Sequence, residues 1–517
     1  MNRKKLPIGI QTFSEIRSEG YYYADKTAFC LKLAEQGKYY FLSRPRRFGK
    51  SLFIDTLGEL FSGNQALFTG LYVEDKWDWS IRYPVIRISF GGGIIHDAQQ
   101  LQRRIITILE NNCHRLGIDI EKEADTSDLF EAIILKLVET TGQRVVILVD
   151  EYDKPILDNL LKPDVAKEIR DGLRNFYSVI KDCDAHIKFA MLTGVSKFSK
   201  VSLFSGLNNL DDITMDAPYS SICGYTDEDL DTVFAPELEG LDRDQIRHWY
   251  NGYNWTGTSV YNPFDVLLLF EKRQFKAHWF ETGSPTFLID LLAQRGFFTP
   301  DLACRQTSLE LLSAFDVEKI SSEALLFQTG YLTISRLEEP LPNYWIYVLG
   351  YPNHEVETSL NAALLGAFGL DEQKALHNRL NLLTQLKNND FAQMQTLFTA
   401  FFASIPHDWY RNNPIAKYEG YYASVFYSYF AALGLDIILE DTTNQGRIDM
   451  TVKFNEQVYL FEFKVVELVP QGKALQQLQD RGYADKYRSL NQPIHLIGVE
   501  FSKKNRSVVG FEWLSLE

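Results

Sequence analysis

The sequence predicts an α/β protein of several domains. A parallel sheet with interleaved helices comes first, a helical extension follows, and a second α/β domain closes the chain. Three observations predict this. Two continuous apolar, β-branched runs, RVVILVD (144–150) and IKFAMLTG (187–194), have the texture of strands buried on both faces, and helical patterns alternate with them. From about residue 224 the texture changes to short helices with aromatic turns, as in RDQIRHWYNGYNW and NPFDVLLLFEKRQF. Near the C-terminal end, GRIDMTVKFNEQVYLFEFK (446–464) reads as two alternating strands around a tight turn at Asn455-Glu456.

In chain order, YYFLS (39–43) is a strand and SLFIDTLGELFSG after it an amphipathic helix. YPVIRISF (83–90) is a second strand, followed by helices through 96–116 and 127–140. The strand 144–150, a helix around 163–182 and the strand 187–194 complete the first sheet. Around 323–357 a helix followed by a β-hairpin resembles a winged-helix unit, which serves as readily as a spacer as in contacting DNA. Residues 358–405 are helical, and NNPIAKYEG (412–420) opens a last domain of a helix and then strands. The expected division is 1–220 (first α/β domain), 221–320 (helical lid or extension), 321–405 (winged-helix-like and helical linker) and 406–517 (last α/β domain).

Composition narrows the class. Charged residues at 23% and hydrophobic ones at 45% suit a folded chain and exclude a disordered one. The net charge of −15 is unevenly spread: residues 1–60 carry 11 Lys and Arg against 6 Asp and Glu, while 411–517 are nearly balanced. Either end can therefore present a local basic surface to nucleic acid despite the acidic whole. Five dispersed cysteines, with no CxxC pair, argue against a disulfide framework or a zinc site and predict a reducing, cytoplasmic setting. No apolar run follows the basic start, so no signal peptide is expected. The uncharged stretch Gly420 to Leu435 is short and rich in Tyr and Ser, which predicts a buried helix and no membrane partner.

SRPRRFGKS (43–51) lies between a strand and a helix and ends as a phosphate-binding loop ends. The candidate cradle is Arg44, Pro45, Arg46, Arg47, Phe48, Gly49, Lys50 and Ser51. Lys50 can reach the β- and γ-phosphates of ATP, and Ser51 can ligate Mg²⁺. Arg44 stands where such a loop usually opens with glycine, which matters only if that position needs glycine's freedom. The three arginines could add positive charge near phosphate or at a subunit contact. The strand 144–150 ends in Asp150-Glu151, the pattern in which one carboxylate holds Mg²⁺ and the next activates water. Thr193, ending the next strand, is placed to sense the γ-phosphate. The plainer alternatives are a helix start that happens to read Gly-Lys-Ser, an acidic pair in a solvated loop and a Thr that merely ends a strand.

At the other end, a two-residue turn at Asn455-Glu456 would set Asp449 opposite Glu462, with Lys464 on the same face. Two carboxylates and an ammonium on one surface suit metal-dependent phosphodiester hydrolysis, with Asp449 and Glu462 as ligands and Lys464 neutralising developing charge. The same three residues also suit a cross-strand ion-pair ladder worth about 0.2–1 kcal/mol.

The motifs PIGIQTFSEIRSEGYYYADKT, RPRRFGKS, VDEYDKP, SLFSGLNNL, WYNGYNW, YNPFDV, TGSP and LFQTGYLTI resemble those of bacterial AAA-ATPase-like proteins with a fused C-terminal PD-(D/E)xK nuclease-like domain. The resemblance implies that arginine at position 44 is the usual form of the loop. It also implies that Glu419 is an additional acidic residue of the nuclease fold and that Gln477 contacts the site. The implied cofactors are ATP and Mg²⁺, with Mn²⁺ an option at the nuclease site. The implied partner is nucleic acid, DNA above all, with a homo-oligomer and a role in mobile elements or defence as further implications. A nucleotide-switched interaction protein, whose nuclease fold binds without cutting, is the alternative. A nuclease on a nucleotide-independent scaffold is a third reading, opposed by the intact Lys50, Ser51, Asp150 and Glu151.

Overall fold

The computed structural model describes residues 3–120, 125–197, 209–283, 288–289, 292, 301–302, 304–313, 315–316, 319–367, 372–404, 419–505 and 507–516. Most of SLFSGLNNL, the Ser284-Pro285 half of TGSP and the stretch NNPIAK lie outside the described residues, as does the expected boundary at 405–406. The chain forms two units, residues 1–283 with 306–353 and residues 284–305 with 354–517.

The first unit is organised by strands β1 (Tyr39–Ser43), β2 (Val85–Ser89), β3 (Val145–Asp150), β4 (Ile187–Gly194) and β5 (Asp211–Asp212). They form one sheet in the order β2-β3-β4-β1-β5, with every pair parallel. β1 and β3 are buried along their whole length, which is why their sequences run apolar without alternation. The connecting helices are α1 (Thr27–Gln36) before β1, α2 (Lys50–Phe61) after it, α3 (Ala98–Leu116) and α4 (Thr126–Thr141) before β3, and α5 (Pro163–Asp182) before β4. Asp97 and Asp125 cap α3 and α4 by accepting the backbone N–H groups of Gln100 and Ser127. Because β4 is inserted between β1 and β3, the segments leaving these three strands lie side by side at one edge, where doubly wound sheets hold ligands.

The helical extension contains α6 (Asp227–Thr232), α7 (Arg243–Tyr250) and α8 (Pro263–Lys272). The start of YNPFDV is a helix start in miniature: Asn262 caps α8 through the Phe264 N–H, and Pro263 occupies the first turn. Tyr22, Phe234, Tyr250, Tyr261 and Phe270 share the core of this region. The motif YADKT fastens it to the N-terminal segment. Asp25 accepts the Thr27 amide and hydroxyl at 2.8 and 2.7 Å, and Lys26 pairs with Asp229 of α6 at 2.8 Å. Beyond it, α9 (Ser322–Thr329) leads to an antiparallel hairpin, β6 (Thr333–Leu341) and β7 (Tyr344–Gly350), the helix-and-hairpin expected there.

The second unit contains, from residue 354 on, helices α10 (His354–Ala367), α11 (Glu372–Asn388), α12 (Phe391–Ser404) and α13 (Glu419–Ala431). Tyr422, Phe426 and Phe430 of α13 are fully buried, in keeping with a core helix. Among the described residues no helix is long and apolar enough to cross a membrane. The sheet runs β8 (Asp436–Thr443), β9 (Gly446–Phe454), β10 (Gln457–Val466), β11 (Ile494–Ser502) and β12 (Ser507–Leu516) in sequence order. All neighbours are antiparallel except β10 and β11, which are joined through helix α14 (Lys473–Asp480). The turn between β9 and β10 is Asn455-Glu456, both at positive φ (51° and 58°), as a two-residue hairpin of matching twist requires. Helix α14 lies directly on β11 at Gly498, where a methyl group would overlap the backbone of Ala474 and Leu475. Gly498→Ala should therefore destabilise the second unit by about 2 kcal/mol in urea denaturation, because the obstructing atoms are backbone and cannot rotate away.

Candidate functional site

The loop 43–51 keeps left-handed backbone at two positions, Arg47 (φ 68°) and Gly49 (φ 92°), and has none at Arg44. The opening position therefore does not need glycine. The Arg44 side chain corrects the expectation that it lines the phosphate site. It is fully buried and donates to the carbonyls of Ser43, Thr214 and Tyr219 at 2.8, 3.0 and 3.0 Å, with its guanidinium 4.0 Å from the Trp255 ring centre. Burial pulls its pKa down to about 10. Pro45 packs into the space that a side chain at Gly330 would need, and Phe48 meets the rings of Tyr253 and Trp255 edge-on. The Arg46 carbonyl accepts the Trp279 indole N–H at 3.0 Å. The side chains of Arg46 and Arg47 are exposed, with Arg47 over the Phe264 ring.

The Lys50 ammonium is buried against the loop, donating to the carbonyls of Arg44 and Pro45 at 2.9 Å each. Burial lowers its pKa, and the charge of Asp150 opposes that shift. Ser51, one residue into α2, donates its hydroxyl to Asp150 at 2.5 Å, so the loop meets the end of β3. The other Asp150 oxygen accepts the Thr193 hydroxyl at 2.8 Å and the Glu151 amide at 3.1 Å. Thr193 is fully buried and holds Asp150 from β4. Glu151 sits at φ 52°, with its carboxylate beside Gly91. Burial raises its pKa, and the negative charge of Asp150 raises it further. Non-glycine residues in left-handed backbone cost roughly 1–3 kcal/mol each, and two of them, Arg47 and Glu151, stand at this one edge.

Asp153, which sequence reasoning passed over, closes the same turn. It is 1% exposed and accepts the amides of Val195 and Ser196 at 3.0 and 2.6 Å and the Ser196 hydroxyl at 2.6 Å. Its signal was present in VDEYDKP as a third acid, but a carboxylate that turns back to a neighbouring strand is not distinguishable there from a solvated one.

In the second unit, the paired register between β9 and β10 runs from Phe454↔Gln457 to Met450↔Phe461. One step further, Asp449 accepts the Phe463 amide at 2.7 Å. Glu462 is 1% exposed, and one of its oxygens accepts both the Lys464 ammonium, at 2.8 Å, and the Gln477 side-chain amide. Glu462, Lys464 and Gln477 are thus joined through one carboxylate oxygen, and Asp449 reaches the backbone of the residue after Glu462. Glu419 is the first residue of α13, and its side chain lies outside the described residues.

Ser51 with Asp150, and Asp449 with Glu462, are hard oxygen donors of the kind Mg²⁺ and Mn²⁺ take. Among the described residues no cluster of three or more His, Cys, Asp or Glu is placed to hold a metal by itself. A cation at either pair would therefore complete its shell with water or phosphate oxygens, as Mg²⁺ commonly does.

A parallel sheet with a phosphate-type loop after β1 and an acidic pair after β3, together with a carboxylate-lysine hairpin in a mixed sheet, defines a P-loop protein fused to a nuclease-like domain. Residues 7–204 match the family described as Predicted AAA-ATPase, and residues 417–511 match the PD-(D/E)XK nuclease superfamily. The chain is 65% identical over 512 residues to an "Uncharacterized protein in vnfD 5'region" of Azotobacter chroococcum mcd 1, covering 99% of both chains. It belongs to the family of AAA-ATPase-like proteins that carry a C-terminal PD-(D/E)XK nuclease superfamily domain.

The loop geometry separates its two unusual arginines. Arg44→Gly, the change toward a conventional loop, should cost about 3–5 kcal/mol of stability in urea denaturation, since it strands three buried carbonyls and empties a packed site. Arg47→Gly should stay within about 1 kcal/mol of the parent, because relief of left-handed strain offsets the added freedom of the unfolded chain.

Proposed function

We propose that the chain binds and hydrolyses ATP at the loop and cleaves nucleic acid, DNA in particular, at the C-terminal carboxylates in a metal-dependent reaction. The observation that carries this reading is the Ser51–Asp150 contact at 2.5 Å, which joins loop and acidic strand as a nucleotide site requires. The cluster around Glu462 supports the second half.

ATP is held by the loop amides and by Lys50, whose ammonium exchanges the carbonyls of Arg44 and Pro45 for phosphate oxygens. Asp150 and Ser51 would hold Mg²⁺, which neutralises phosphate charge when bound. Thr193 keeps the Asp150 carboxylate turned toward Ser51. Glu151 takes the proton of the attacking water, and its raised pKa makes it a stronger base than an ordinary carboxylate.

At the second centre Asp449 and Glu462 would hold Mg²⁺ or Mn²⁺, a Lewis acid that also lowers the pKa of bound water. Lys464 balances the charge of Glu462 and of the phosphate that approaches it. Gln477 fixes the Glu462 rotamer through its amide. Glu419, at the start of α13, is the additional acid in this reading.

Glu151→Gln should retain ATP in a calorimetric titration while phosphate release falls at least about 100-fold; undiminished turnover would rule Glu151 out as the base. For the parent protein, kcat should fall as pH drops through the Glu151 pKa, and that limb should lie above the ordinary carboxylate range because burial favours the protonated form. Asp449→Ala should abolish cleavage of plasmid DNA in Mg²⁺ or Mn²⁺. Equal cleavage by parent and variant would overturn the nuclease assignment.

A further inference from the structure

Strand β11 carries two residues out of keeping with its burial. IHLIGVEFS is buried at all nine positions, yet it contains Gly498 and Glu500. In the parallel register with β10, Gly498 stands opposite Glu462 and Glu500 opposite Lys464, so the two adjoin the carboxylate-lysine pair. Alternation along the strand puts both on one face, and helix α14 lies on that face at Gly498. Glu500 is 2% exposed. One of its oxygens accepts the Gln471 amide at 2.5 Å and the other the Lys473 amide at 2.7 Å, the backbone at the start of α14.

Helix α14 presents Gln477 to Glu462. Its approach to the sheet is set at Gly498, and its N-terminal end is fixed by a carboxylate taking two backbone protons, the favourable polarity for that end. A helix of eight residues held at one end and one face has little freedom left in the position of a side chain on its second turn. We infer that Glu500 is a positioning residue for the C-terminal site: it holds α14 in the place from which Gln477 orients Glu462 as a metal ligand. This rests on the proposed nuclease reading. Glu500 itself is committed to backbone amides and acts through Gln477.

The test is Mn²⁺ binding to the full-length chain by calorimetry and by electron paramagnetic resonance. Parent, Asp449→Ala, Gln477→Ala, Glu500→Ala, Glu500→Gln and the double variant Glu500→Ala/Gln477→Ala would be compared. Val499→Ala, on the opposite face of the same strand, controls for lost stability. Glu500→Ala should weaken Mn²⁺ binding about 10- to 100-fold, as loss of outer partners of metal ligands does. Glu500→Gln, which keeps one acceptor oxygen, should recover part of that loss. The effect of Glu500→Ala should vanish in the Gln477→Ala background, because both act along one path. Val499→Ala should bind Mn²⁺ like the parent at any temperature where it is folded.

If Asp449→Ala abolishes binding while Glu500→Ala does not change it, the positioning role is wrong and the metal site stands. Additive losses in the double variant, or a loss in Val499→Ala equal to that in Glu500→Ala, also overturn it. Mn²⁺ binding unaffected by Asp449→Ala removes the metal site itself, and the inference with it.

Discussion

The interior of the first unit is arranged around one buried guanidinium. Arg44 is fully buried, and its charge is spread over three backbone carbonyls and a tryptophan face. Removing a cation from water is costly, so the carbonyls must stay where they are. Two of them, on Thr214 and Tyr219, belong to the segment just after β5. The loop is gripped at further points by Phe48 against Tyr253 and Trp255, Trp279 on the Arg46 carbonyl, and Pro45 against Gly330. The phosphate-type loop is thus shaped by residues far along the chain as much as by its own sequence.

The two catalytic candidates share a way of being built. In each, a carboxylate carried by a largely buried strand is oriented by a neutral group from a neighbouring element: Thr193 on Asp150, Gln477 on Glu462. In each, a lysine is held close, at backbone carbonyls for Lys50 and at the carboxylate itself for Lys464. Low dielectric strengthens such contacts and makes an unpaired member costly, so these groups are held in narrow geometries.

What the sequence made legible was what depends on near neighbours. Strands 39–43 and 187–194 and the helix 163–182 stand where apolar runs and periodicity put them. The turn at Asn455-Glu456 was legible and sets the register from Phe454↔Gln457 to Met450↔Phe461, because register in a two-residue hairpin follows from the turn. The rest depends on distant partners. That Arg44 points inward follows from carbonyls some 170 residues away. That Thr193 faces Asp150 follows from β4 entering between β1 and β3, an order that alternating strands and helices do not specify. Asp153 and Glu500 look like solvated acids until the backbone amides they accept are known.

The grip on the loop bears on how such a protein can be cut and joined in evolution. The stretch recognisable as an ATPase ends at residue 204. The acceptors at 214 and 219, the aromatic socket at 253 and 255, the indole at 279 and the cleft at 330 all come after it. A gene segment that carried only the recognisable part to a new host would deliver a loop with its arginine bared and its proline and phenylalanine unhoused. A transferable module would therefore have to be longer than the motif-bearing one, with the aromatic motifs around 250 and the glycine turn at 330 kept beside the loop as its mould.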